Sequence, residues 1–249
     1  MEMKLDLRIA LLTYYRGLYD EIRIIMVFSP KGEAKQFVLY KKLASHYSTY
    51  LASAFSGDTS DKELKLVGVE PKIFELFLQW LNAGRFDYKH KNWVNDGEDI
   101  YEPLVELYEL AERLGTNALM NLTITTIREV FIDNKGEHFF SVPLINYVYL
   151  RTHKESPLRR IIRDMFAFNA DETMLKFRKT VNINPEFEAD VRARLFQRTR
   201  TPRLLEPQAF VYHLNEVPDE DDDDCRIIDE PEVIIPSEFG TLMRNCGLI

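Results

Sequence analysis

Cysteine is almost missing. The 249-residue chain holds two thiols, Cys225 and Cys246, both near its C-terminus. Two isolated thiols build neither a disulfide framework nor a four-ligand zinc site, which fits a reducing compartment. Long apolar runs are missing too: no stretch approaches the roughly 18 residues that cross a bilayer. The opening MEMKLDLRIALLTYYRGLYDE keeps charges inside its apolar stretch, where a secretory leader needs an unbroken apolar centre and a small-residue cleavage site. The expectation is a soluble intracellular protein, cytoplasmic or nuclear, with no membrane partner. Histidine is sparse, and His46, His90, His138, His153 and His213 never pair with another His or a Cys at metal-ligand spacing on one helical face. No Gly-rich phosphate cradle, Gly-x-Ser-x-Gly elbow or internal repeat occurs. In NWVNDGED, a calcium loop with Gly97 at its turn would put Val94 at a ligand position and Pro103 where the bidentate Glu belongs, so an acidic surface loop is the better reading. No catalytic residue, cofactor or metal is expected, and the chain is not expected to be an enzyme.

What is present suits a globular core. Hydrophobic residues make up 45% and charged residues 29%, and a chain of this length hides about 70% of its unfolded surface. The net charge of -8 is uneven: residues 216 to 232 hold ten acidic residues and one arginine, so that stretch carries -9 and the remainder about +1. The acidic block Asp219 to Asp224 favours disorder.

EIRIIMVFSPKGEAKQFVLY reads as a hairpin, with Ile22, Ile24, Met26 and Phe28 on one face, a turn at Ser29 to Gly32 and a returning strand over Phe37 to Tyr40. Lys41 to Tyr47 and Thr49 to Phe55 suit two helices too short to stand alone, expected to be held by packing of Leu43, Tyr47, Tyr50, Leu51 and Phe55, with Gly57 ending the second. ELKLVGV is a third strand. Pro71 opens a helix that Gly84 closes, with Ile73, Phe74, Phe77, Trp80 and Leu81 as its apolar stripe. After a polar loop at 85 to 100, Leu104, Leu107, Tyr108, Ala111 and Leu114 repeat at helical spacing, and Leu119, Leu122, Ile127 and Val130 continue a helical hairpin. VPLINYVYLR, SPLRRIIRDMFAF and EFEADVRARLFQRT are helical again, with Ser156 as cap before Pro157. The sequon Asn121, Leu122, Thr123 lies inside a helical pattern and reads as chance.

This order of elements resembles the BTB/POZ domain, an α+β fold with a small three-stranded sheet covered by short helices. Phe37, Val38, Lys41, Leu43, Ser48, Tyr50, Ala54 and Phe55 stand where that family carries its aromatic, apolar, His-Lys, Leu, Ser-x-Tyr and Ala-Phe positions, and FELFLQWLNAGRF and LYELAERLGTNALMN look like its next two blocks. INYVYLRTHKESPLRRII is similar to the extension of filamentous-fungal BTB proteins. The resemblance spans about residues 11 to 170. It implies an N-terminal helical segment at 1–19, a BTB/POZ domain at 20–132 and an all-α extension at 133–204; the charge pattern adds an acidic, largely disordered tail at 205–249.

The implied function is non-enzymatic binding of other proteins, including self-association as a homodimer through an N-terminal stripe of Leu5, Ile9, Leu12 and Tyr15. The family's histidine before the lysine is Tyr40 here, and the acidic residue opening its first strand is Glu21 rather than Asp. Members that recruit a cullin ubiquitin ligase often carry an apolar residue, any residue, then Glu after the second short helix. Thr59, Ser60 and Asp61 stand there as the candidate partner-binding residues, so a cullin scaffold is expected to bind weakly or not at all. The segment 176 to 203 holds eight basic residues against three acidic ones, a composition that could attract nucleic acid or the acidic tail. A solvated helix face is the preferred reading, and nucleic acid is not an expected partner.

Overall fold

The hairpin forms from β1 (Ile22–Phe28) and β2 (Ala34–Tyr40), antiparallel with Ile22 opposite Tyr40 and Phe28 opposite Ala34. In this computed structural model the described residues are 21–56, 64–88, 99–134, 140–169 and 182–200, with side chains in the last stretch described to Phe196. The chain divides after residue 215, and every described residue belongs to the first part. Ser29 closes the hairpin: its Oγ accepts from the N–H groups of Lys31 and Glu33, and Gly32 takes φ 88° at the turn. β3 (Leu64–Val67) pairs parallel to β1, giving the strand order β2-β1-β3.

Between β2 and β3 lie α1 (Lys41–Tyr47) and α2 (Thr49–Phe55). Neither is long enough to be stable alone, and a single buried serine secures both. Ser48 donates its hydroxyl to Leu114 O at 2.6 Å and accepts from Leu51 N, capping α2 while tying it to a helix end 66 residues later. Leu43, Leu51 and Phe55 are buried as expected, but Tyr47 and Tyr50 are exposed.

One face of the sheet packs on α3 (Pro71–Ala83), where proline opens the first turn and Gly84 ends it at φ 67°. Every residue of its expected stripe is buried. Ile25, Val27, Phe37, Leu39 and Leu66 meet it from the sheet, and the Phe37 and Phe74 rings lie 4.9 Å apart. The apolar face read from sequence, Ile22, Ile24, Met26 and Phe28, is therefore the one turned away from the helices.

The helical hairpin is α4 (Glu102–Leu114) and α5 (Asn117–Asp133). Its corner needs Gly115 for two reasons: the backbone is left-handed at φ 64°, and a Cβ there would meet Thr49 Oγ1 at 2.1 Å. Leu119, Ile127 and Val130 are buried and Leu122 is half-buried. Thr123 is buried inside α5 with its hydroxyl given to Leu119 O, which puts the chance sequon out of reach.

Among the described residues three further helices follow: α6 (Val142–Arg151), α7 (Pro157–Asn169) and α8 (Pro185–Arg200). Asp99 carries the chain into α6, accepting from Tyr101 N and, at 2.7 Å, from Ser141 N. Ser156 is fully buried in front of Pro157, and its carbonyl accepts from Arg160 N, the first bond of α7. Phe187 of α8 packs edge-on against Tyr149 and Phe166, with centroids 5.3 and 5.1 Å away. One continuous apolar core thus runs from Ile25 in the sheet to Val191 in α8.

Candidate functional site

The ridge formed by α1 and α2 carries aromatic side chains that the core does not need. Tyr47 is 41% and Tyr50 37% exposed, and His46 beside them is exposed as well. The His46 and Tyr47 rings are not loose. The His46 ring meets Tyr47 edge-on at 4.7 Å, Tyr47 meets Trp80 edge-on at 5.4 Å, and Trp80, Phe77 and Phe74 continue the series inward at 6.0 and 5.3 Å. An aromatic ladder therefore begins in the sheet at Phe37 and ends in water at His46. Edge-to-face neighbours fix the outer rings in place, so little side-chain entropy is left to lose when a partner covers them.

The residues picked from sequence as partner-binding, Thr59, Ser60 and Asp61, lie outside the described residues, as does the self-association stripe of Leu5, Ile9, Leu12 and Tyr15. Gly57, most of the calcium-like loop and the acidic tail lie outside them too. Of the basic segment, Arg192 pairs with Glu188 one turn earlier at 2.5 Å, and Arg194 reaches the buried Asp164 at 3.0 Å. Both cations serve the helical extension. Among the described residues no group of three or more His, Cys, Asp or Glu is placed to hold a metal ion, and no helix is long and apolar enough to cross a membrane.

Sequence reasoning missed an electrostatic feature behind α4. Burial pushes the Glu106 carboxyl from its ordinary 4.5 up to about 7; Lys72 opposes the rise, and Glu102, Glu70 and Glu109 add to it. The carboxylates belong to α4 and the start of α3, so only the folded chain assembles them. Glu109 is engaged elsewhere, accepting from the Tyr147 hydroxyl at 2.7 Å and pairing with Arg151 at 3.4 Å, which fastens α6 to α4. Because the folded state holds the Glu106 proton more tightly than the unfolded chain does, its contribution to stability falls as pH rises from about 4.5 to about 7. Glu106→Gln is expected to flatten that part of the stability profile and to raise stability at pH 8 by about 1 kcal/mol, after allowing for solvent screening. Urea midpoints at pH 5 and pH 8 check it; equal gains at both would show that the carboxyl's charge is not the cause.

Comparisons with known proteins return little. No family model matches the chain, and no curated protein matches it. Among solved structures it is similar to the BTB domain of zebrafish PATZ1, with 19% identity over 42% of this chain and 75% of that one, at a TM-score of 0.32.

Proposed function

We propose that this chain is a non-enzymatic protein-interaction module of BTB/POZ type, with residues 20–132 as the module, 133–204 as a helical extension and 205–249 as an acidic tail. The observation that carries the proposal is the exposed end of the aromatic ladder. His46, Tyr47 and Tyr50 stand in water on two short helices, and buried Trp80 and Phe77 hold Tyr47 from below. Exposed aromatics on a rigid base are the residues that dominate binding energy at protein interfaces. The order of two strands, two short helices, a strand, a longer helix and a helical hairpin supports the same reading.

Adaptor function for a cullin ligase is the alternative, with Thr59, Ser60 and Asp61 at the contact. Thr59 lacks the bulk of an apolar anchor, and Asp61 is one methylene shorter than Glu. Regulation linked to nucleic acid through 176–203 ranks below both, since Arg192 and Arg194 already serve ion pairs.

The test is quantitative affinity purification of the full chain beside Tyr47→Ala combined with Tyr50→Asp. Partners held by the ridge should fall by about thirtyfold in the variant, the loss expected for an anchor worth ~2 kcal/mol, with the melting curve nearly unchanged. An undiminished set of partners would refute the ridge as the binding surface. Added cullin scaffold separates the alternative: tight binding by the native chain would make it the leading reading, whereas binding only after Thr59→Met with Asp61→Glu would place the deficit in that loop.

A further inference from the structure

The hydrogen bonds of the hairpin leave β2 with an outer edge. At its two ends Ser29 N donates to Glu33 O and Lys41 N donates to Glu21 O, both at 2.7 Å. Close pairs alternate along an antiparallel ladder, so the register makes Arg23 with Leu39, Ile25 with Phe37 and Val27 with Lys35 the bonded partners. Phe28 agrees with this parity from β1, since its carbonyl accepts from Gly68 N, on the β3 side. The even positions of β2 therefore turn their N–H and C=O groups away from β1, and the strand order β2-β1-β3 puts no described strand there. Ala34, Gln36 and Val38 present a row of donors and acceptors along that edge.

Edges of this length are normally blunted by proline, a bulge or a charge standing over the strand. β2 runs seven residues without proline, its register with β1 is unbroken, and its one charge, Lys35, is drawn to Glu75 of α3 at 2.5 Å. Beside the edge lies an apolar row, for Val38 is 52% exposed and Ile24 opposite it 42%.

We propose that the outer edge of β2 takes an extended segment of a partner protein as an added strand, with apolar residues at alternate positions and carboxylates at its ends. Main-chain groups supply the bonds in such additions, and alternate side chains supply the selectivity. Every second side chain of the added strand stands on the face of Val38 and prolongs the row that starts at Ile24. Charge selects the ends. Lys31 and Lys35 lie toward one end of β2, Lys41 and Lys42 just past the other, and Glu33 is the only carboxylate from 31 to 42. A second copy fits less well. Setting Val38 opposite Val38, which joins the two apolar rows, would place Lys35 against Lys41, and seven residues a side fall short of the roughly 20 to 30 of a lasting dimer. The edge is separate from the aromatic ridge on α1 and α2, so this inference goes beyond the function proposed above.

Amide hydrogen exchange of the full chain tests it. In dilute solution Gln36 and Val38 should exchange at least a hundredfold faster than Phe37 and Leu39, whose amides are bonded to β1. Equal protection would overturn the proposal: in favour of a second copy where it grows with protein concentration, and of another part of this chain where it does not. A capped peptide of alternating valine and threonine, with two glutamates at each end, should slow Gln36 and Val38 at least tenfold. The same core ended by lysines should bind at least tenfold more weakly. Val38→Pro removes one outward donor and no bond to β1, so it should abolish peptide binding with the fold retained. Val38→Asp, which keeps the backbone donor and breaks the apolar row, should weaken binding at least tenfold, whereas Tyr47→Ala with Tyr50→Asp should leave it intact. No protection by the glutamate-ended peptide, equal binding of the two peptides, or binding that survives both Val38 variants would overturn the proposal.

Discussion

Truncating Phe77 to alanine is expected to destabilise the chain by about 3 to 5 kcal/mol, the range for a fully buried phenylalanine whose site does not collapse. The residue has no exposed surface, and its ring lies between Phe74 at 5.3 Å and Trp80 at 6.0 Å. Collapse is resisted from both sides, because Phe74 is fixed by Phe37 of the sheet and Trp80 by Tyr47 of α1. For a domain of this size the loss corresponds to a melting temperature lower by roughly 6 to 20 °C. Since the core is continuous from Ile25 to Val191, signals from the sheet and from the helical extension should shift together in one transition. Leu150→Ala is the control: that side chain is 79% exposed on α6 and should change stability by no more than about 0.5 kcal/mol. An unchanged midpoint for Phe77→Ala would take the ring out of the core, and two separated transitions would show that sheet and extension unfold independently.

Much of this fold is legible from periodicity, because each element has one side that must leave water. α1, α2 and α3 begin and end where the sequence puts them, since Ser48, Pro71 and Gly84 act within a few residues of their own positions. What periodicity does not convey is which side of a two-faced element turns inward. Along β1 both faces are apolar, Ile22, Ile24, Met26 and Phe28 against Ile25 and Val27, so counting favours the outward face. The choice is made by partners distant in sequence: Phe37 and Leu39 on β2 and Leu66 on β3 point to the side that α3 covers. Tyr47 and Tyr50 illustrate the same limit. Each fits a helical apolar stripe, yet helices of seven residues cannot bury every such position, and what remains outside becomes the candidate binding ridge. Thr59, Ser60, Asp61 and the N-terminal stripe rest on the sequence alone, and the cullin-binding comparison above tests the first three.

A buried cation was the least legible feature, and it produces the second large effect. In SPLRRIIRDMF the arginines look like the solvent side of an amphipathic helix, but Arg159 is only 6% exposed. Its guanidinium donates to Thr152 Oγ1 at 3.0 Å, to the backbone carbonyls of Tyr149 and Thr152, and to Glu186 at 2.9 Å, while lying 4.5 Å from the centre of the Tyr149 ring. Those carbonyls belong to the C-terminal end of α6, where a helix leaves acceptors without partners and favours a positive charge. Arg159 thereby caps α6 from α7 and reaches the first turn of α8. Arg159→Met removes the donors and leaves two buried carbonyls unsatisfied, at about 1 to 3 kcal/mol each, for a total expected loss of roughly 2 to 6 kcal/mol. The ion pair itself contributes little, because the Glu186 side chain is 64% exposed. Glu186→Gln should therefore cost less than about 1 kcal/mol, and Arg159→Lys should fall between the two variants, since an ammonium keeps the charge but cannot span acceptors on several sides or stack on the ring. Urea unfolding of the three variants supplies the comparison. A loss for Glu186→Gln as large as that for Arg159→Met would mean that the ion pair, and not the helix cap, holds the extension together.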